Sequence, residues 1–444
     1  MKRTIALFTG IFCMFSATIV EAQNTWSLQK CIDYALENNI QIKQQGLNTQ
    51  YNENMVHQAK SDRLPNLNAG ASNNYSFGRS LNNENVYENV NSTALNGYIQ
   101  SNVTVFNGFT LQNSVKQSEL DLQAAIQDLQ KAKDDLILNI AASYLEILFA
   151  EELTLISEAQ VEVTQQQIER TQKLVDAGSL AHGALLEIEA QLAREELQLV
   201  NDRNRVQLAY LNLFQLLELP VEKSFTIEKP KLPEIKANVT MLNSFDVFKT
   251  AINLRPEIKA AQLRVESARR QLDIAKGYNY PTLSFGANYN NQYFNVLNSE
   301  LPQFSFNEQL KSNSRYGFGL NLSIPIFNRF QVKNGISNAK LQIADNEYRL
   351  QTVRNVLRKD IEQAYTNALA ALNRYVSSEK AVKSTQEAFR YTEEKFNVGM
   401  VNSVEYNQSK NYLTVAQSEL LQARYEYIFR AKILDFYNGV PIEL

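Results

Sequence analysis

The chain has 444 residues with 44 Lys plus Arg against 47 Asp plus Glu, a net charge of −3, which gives no reason to expect a nucleic-acid partner, since such a partner usually needs a basic face. Two Cys and two His are too few for a Cys/His metal cluster or a disulfide scaffold. Gly (15) and Pro (9) make up about 5% of the chain, roughly half the usual share, so its elements are long and seldom broken.

The N-terminus reads as an address. Lys2 and Arg3 precede a mostly apolar run over 5–20, and Val20-Glu21-Ala22 fits a small-x-small cleavage site. Residues 1–22 are therefore expected to be a secretory signal peptide. Cys13 would leave with it, and Cys31 would be the sole mature thiol, so no intramolecular disulfide can form. No later stretch reaches the roughly 18 apolar residues of a membrane-spanning helix. Trp26 is expected to open the first helix and to serve in packing.

In chain order, a helix is expected over about 27–62. The hydrophobic period then changes from about 3.6 to 2. Leu67, Ala69, Ala71, Tyr75 and Phe77 alternate with Asn68, Gly70, Ser72, Asn74 and Ser76; Leu95, Ile99, Val103 and Val105 alternate with Asn96, Gln100, Asn102 and Thr104. These runs predict strands near 66–78 and 95–106. From 109 to 177 there are 69 residues without Gly or Pro, about 100 Å as one helix. Ala177-Gly178-Ser179 reverses the chain, with Gly178 suited to a left-handed cap. A helix over about 184–217 follows, and Pro220, Pro230 and Pro233 interrupt an inter-repeat connection at 220–240. That connection is expected to form part of a belt around the middle of the molecule.

The order then repeats. Pro256 suits the first turn of a helix and suggests a break there. Strands are expected near 281–294 and 315–327, the second running Phe318, Leu320, Leu322, Ile324, Ile326 on one face. A 63-residue helix without Gly or Pro spans 336–398, ending at Val398-Gly399-Met400. Val105-Phe106-Asn107 and Ile326-Phe327-Asn328 are 221 residues apart, as are Tyr144 and Tyr365, Gly178 and Gly399, and Pro220 and Pro441. The heptad Val115, Leu122, Leu129, Leu136 recurs as Ile336, Ile343, Leu350, Leu357. A constant offset of this length predicts tandem repeats, 23–219 and 241–444, of like fold. Each would pair one long helix with two stacked shorter ones in coiled-coil packing, charged residues facing water.

Four strands of about ten residues, apolar on one face and uncharged polar on the other, suit a tilted membrane-spanning sheet around a wet lumen. The intervening loops, 78–94 and 295–314, read as exposed, and Tyr75, Phe77, Tyr289, Tyr293 and Phe294 cluster near them like an interfacial girdle. Open edges are not tolerated in lipid, and four strands cannot close. Three chains would give a twelve-strand barrel with room for a conduit. The competing reading is a secreted structural or adhesive coiled-coil protein.

The signal peptide, the tandem halves, the Val-Phe-Asn-Gly and Ile-Phe-Asn-Arg joints, and Asn397-Val398-Gly399 followed by Val404-Glu405 resemble the TolC-like outer-membrane efflux family over the whole mature chain. The resemblance implies a homotrimer with a β-barrel in outer-membrane lipid above an α-helical periplasmic barrel. It implies a periplasmic adaptor and an inner-membrane pump of the RND or ABC type as partners, no cofactor and no enzymatic activity. By position it places Glu405 and Gln408, with Ala184 and Glu187 in the first half, at the pore entrance. An amide at Gln408 stands where the family usually has a second carboxylate. The tips Gly178, Ser179, Leu180, Gly399, Met400 and Val401 present small and apolar groups that would meet the adaptor. His57 and His182 have no ligand partner at metal spacing, and no phosphate loop is present.

Overall fold

The structure is a computed structural model and describes residues 25–81, 85–220, 225–231, 235, 243–297 and 302–442. The expected signal peptide at 1–22 lies outside the described residues, as does much of the connection at 220–240. The elements in chain order are β1 (Thr25–Trp26), α1 (Leu28–Asn38), α2 (Ile40–Ser61), β2 (Asn68–Ser76), β3 (Arg79–Leu81), β4 (Tyr87–Asn89), β5 (Ser92–Phe106), α3 (Thr110–Asp176) and α4 (His182–Leu217). Then come β6 (Thr226–Ile227), α5 (Ser244–Leu254), α6 (Pro256–Gly277), β7 (Thr282–Val296), α7 (Phe306–Ser312), β8 (Arg315–Ser323), α8 (Gln331–Asn397) and α9 (Ser403–Tyr437). α1 and α5 each have 11 residues, α2 and α6 each 22, and α3 and α8 each 67.

The long helices are shared between partners. α2 and α6 pack on the first part of α3, where Lys60 meets Glu119 at 2.9 Å and Arg264 meets Asp128. α4 runs antiparallel along the rest, where Arg205 meets Glu146 and Arg203 meets Glu158, each at 2.9 Å. α8 is held by α6 and α9 in the same manner, so α6 lies between both long helices. The main core sits where α1, α3 and α4 converge, with Cys31, Ile140, Tyr144, Ile147, Leu213 and Leu217 fully buried. β1 and β6 pair in parallel beside it. The Tyr144 hydroxyl donates to the Glu228 carbonyl at 2.6 Å and reaches that of Trp26 at 3.1 Å, fastening these strands to α3.

Four expectations need correction. The helix expected over 27–62 is broken at Asn39, whose backbone is extended and whose side chain accepts from the Gln41 and Ile42 amides. Its own amide group donates to the Leu216 carbonyl at 3.0 Å, so a tertiary contact holds the break open. Trp26 stands in β1, not in a helix, with its ring stacked on Phe225 at 4.8 Å. The last strand stops at Ser323, leaving Ile324 and Ile326 outside it, because Pro325 has no N–H for a ladder. The 295–314 loop contains α7, begun by a capping box in which Ser305 and Glu308 satisfy each other's backbone amides.

β2, β5, β7 and β8 form one antiparallel sheet in the order β2-β5-β7-β8. Register places Ala69 opposite Ile99, Ile99 opposite Tyr289, and Tyr289 opposite Tyr316. It likewise aligns Val103, Phe285 and Leu320. The apolar stripes therefore fall on one face, interrupted there by Asn73, Gly97, Ser101 and Asn291, and most Asn, Ser and Gly residues fall on the other, joined there by Tyr98. Among the described residues nothing covers most of the apolar face: Tyr316 and Phe318 are each 83% exposed. Among the described residues, β2 and β8 each have one edge without a partner strand.

β7 runs past the end of β8, and side-chain amides close its free edge there. Gln309 donates to the Phe294 carbonyl at 2.9 Å and accepts from its N–H at 3.0 Å. Gln303 does the same at Val296, at 2.7 and 2.8 Å, and Asn313 donates to the Gln292 carbonyl at 2.7 Å.

Candidate functional site at the helix tips

Both reversals are built alike. Gly178 (φ 70°) and Gly399 (φ 77°) take the left-handed conformation that a side chain disfavours. The following N–H then reaches back to the helix: Ser179 to the Leu174 carbonyl and Met400 to the Lys395 carbonyl, each at 2.9 Å. This is the Schellman closure, which satisfies helix-terminal carbonyls. α9 begins at Asn402, whose side chain accepts from the Glu405 N–H at 2.9 Å. The α4 N-cap, Ala181, offers no side-chain bond.

The structure joins the two tips. Ser403 donates to the Glu187 carboxylate, linking α4 and α9 near their starts, and Arg170 donates to the Asn397 side chain at 2.6 Å, linking α3 and α8 near their ends. Glu187, Glu405 and Gln408 are exposed and Ala184 is half-buried. The Gln408 amide donates to the Tyr412 hydroxyl at 2.9 Å. Gly178, Ser179, Gly399 and Met400 are exposed, while Leu180 and Val401 are partly covered.

Behind the tips the helix interior is polar, which the apolar heptads did not announce. Lys410, 3% exposed, lies 3.0 Å from Glu195 and donates to the Gln160 carbonyl at 3.1 Å and to the Thr164 hydroxyl. Thr164 in turn donates to Glu195, and so does Gln191 at 2.9 Å. Burial pulls the Lys410 ammonium below its usual range, and Glu195 pulls it back. Two turns above, Ser157 donates to the buried Asp202 at 2.5 Å.

Tyr406 closes the tip, its ring 4.8 Å from Phe396 and 5.4 Å from Phe389. Burial, with the Glu393 and Glu195 charges adding to it, pushes its hydroxyl up to about 12. In the unfolded chain it ionises near the usual 10, so between these values the folded state holds a proton that the unfolded state has lost. Its contribution to stability is whole below pH ~10 and falls away as pH rises toward 12. Tyr406→Phe is expected to flatten that part of the alkaline fall in melting temperature; an unchanged slope between pH 10 and 12 would refute it.

Long paired helices carrying a small amphipathic antiparallel sheet are the architecture of outer-membrane channel proteins. The structure of CusC described in the context of transmembrane channel formation matches with a TM-score of 0.77 at 18% identity, over 93% of this chain and 92% of that one. The outer membrane protein VceC of Vibrio cholerae matches with a TM-score of 0.77 at 18% identity, over 94% and 97%. In sequence, the chain is 23% identical over 452 residues to outer membrane protein TolC of Salmonella enteritidis, covering 99% of this chain and 86% of that relative. The profile of the outer membrane efflux protein family matches residues 31–218 and 247–438. The chain belongs to this family of TolC-like outer-membrane transport proteins, and its place is the outer membrane.

Proposed function

We propose that three copies of this chain assemble into a passive export duct. The observation that carries this is the sheet: an apolar face left uncovered, a polar face nearly free of charge, and two edges without partners. Three such sheets make a twelve-strand barrel with lipid outside and water inside. The two tandem halves, supported by the matched helix lengths, continue it as an α-helical barrel of about 100 Å across the periplasm. In this reading residues 1–22 are a signal peptide, 23–219 and 241–444 the repeats, and 220–240 part of a belt between them.

The duct performs no chemistry and takes its energy from an inner-membrane pump, of the RND or ABC type, reached through a periplasmic adaptor. The tips at Gly178–Leu180 and Gly399–Val401 are the adaptor-contacting surface, supported by the exposed Met400. Glu405, with Gln408, Ala184 and Glu187, lines the entrance, where three Glu405 carboxylates around the axis favour cations.

Detergent-purified protein is expected to be trimeric and to conduct ions in a planar bilayer, and Glu405→Ala is expected to weaken its cation selectivity. A water-soluble particle that never conducts would favour a secreted coiled-coil protein instead. Unchanged selectivity in the variant would remove Glu405 from the entrance.

A further inference from the structure

We infer the residue-level interface through which neighbouring copies join, an inference that rests on the trimeric reading above. The chain already contains one junction of the required kind, where β5 and α3 of its first half meet β7 and α6 of its second. α1 and α2 recur as α5 and α6 exactly 216 residues later, and α3 recurs as α8 after 221. β8 and α8 therefore present to the next copy what β5 and α3 present to β7 and α6. The surface awaiting them is β2 and α2 of that copy.

The strand register follows. Ile99 lies opposite Tyr289, Gly97 opposite Asn291 and Leu95 opposite Tyr293. Transferred to the outer edges, these pairs set Leu320 opposite the partner's Asn73, Phe318 opposite the partner's Tyr75 and Tyr316 opposite the partner's Phe77. All four aromatic residues are 60–83% exposed in the single chain. The transferred register makes them two cross-strand aromatic pairs on the apolar face, a favourable arrangement in sheets. It also keeps the polar faces together, with Asn321 opposite the partner's Ser72. A slip of one residue would turn every side chain to the wrong face.

The helices give an independent check. The α3–α6 contact is antiparallel, with Asp128 against Arg264 and Asp134 against Arg255. The same geometry between α8 and the next α2 brings Leu341 against the partner's Met55, Tyr348 against the partner's Leu47, and Val356 against the partner's Ile40. These six residues are 43–71% exposed in the single chain, far more than apolar side chains in a helical interface tolerate. One alignment, taken from the internal junction, covers them all in pairs.

Cysteine pairs in the full-length protein test this in outer-membrane preparations. β2 and β8 lie at opposite edges of the sheet, so a disulfide between them joins two copies. Native Cys31 is buried and serves as the background. After copper–phenanthroline oxidation, Leu320→Cys with Asn73→Cys is expected to give at least tenfold more covalent multimer than Leu320→Cys with Ala71→Cys or Tyr75→Cys. A maximum at position 71 or 75 overturns the register. Tyr348→Cys with Leu47→Cys is expected to cross-link as well, and its failure beside a linked strand pair overturns the helical half. Trimers by native mass with no linked strand pair overturn the interface and leave the trimer standing. A single-copy mass overturns the trimer itself.

Discussion

Glu195→Ala is expected to destabilise the tip-proximal helices by about 3–5 kcal/mol, because it strands a buried ammonium. Lys410 has almost no solvent contact, and Glu195 is its one counter-charge among the described residues. The Gln160 carbonyl and the Thr164 hydroxyl remain as acceptors, but neither carries charge. Removing the other member is milder. Lys410→Met leaves Glu195 accepting from Thr164 and Gln191, and the carboxylate reaches solvent more readily. Glu195→Leu combined with Lys410→Met is expected to lie within about 1 kcal/mol of wild type or above it, since apolar replacement of a buried pair is often neutral or stabilising. Guanidinium unfolding followed by helical circular dichroism separates the three. Equal midpoints for Glu195→Ala and wild type would mean that the ammonium is solvated after all.

Gly108→Val is expected to be the most damaging change at the strand-to-helix joints. Gly108 is in the left-handed region (φ 65°), followed by Phe109 in the same region (φ 63°), so the chain turns sharply between β5 and α3. A Cβ there would collide with the Gly277 carbonyl oxygen and lie 2.9 Å from the Tyr280 Cβ. Backbone meets backbone, so no flexible side chain can give way. Strain and overpacking together should exceed about 3 kcal/mol. Gly335→Ala is the matched control: nothing lies within 4 Å of its Cβ, and it sits in α8, where Ala gains roughly 0.5–1 kcal/mol over Gly. Thermal melting of the purified proteins should move in opposite directions, and a wild-type midpoint for Gly108→Val would dismiss the close approach. The second joint carries Arg329 at the corresponding place, so only the first demands glycine.

The long helices and the alternating strands were legible because their signals are periodic and local. Pro256 announced its own break, and Pro325 could have announced the end of β8. Asn39 gave no such sign, since an Asn within a polar helix looks ordinary until Leu216 is seen to accept its amide. The capping box at Ser305–Glu308 was legible, but the Asn- and Ser-rich surroundings drew the segment into a loop. The polar interior shows where reading sevens alone falls short. Tyr406 stands seven residues before Leu413, in the apolar repeat, whereas Lys410 stands three before Leu413 and Glu195 three after its counterpart Leu192, one on each side of the repeat. Charge type alone assigned Lys410 and Glu195 to the wet face, and only three-dimensional pairing shows why they tolerate burial. The tips were legible from glycine, whereas the bond from Ser403 to Glu187 joins residues 216 apart and has no local signature.

In the proposed assembly, the amides that seal the overhang of β7 set the valency of the subunit. Had Phe294 and Val296 kept free backbone groups, a stray strand could dock there as a third attachment point, and growth could branch. With Gln303, Gln309 and Asn313 occupying those groups, the sheet offers two sticky margins and no more. In the proposed duct, two complementary margins close into a ring when the angle between them fits, and the three polar side chains keep a third attachment point from branching it.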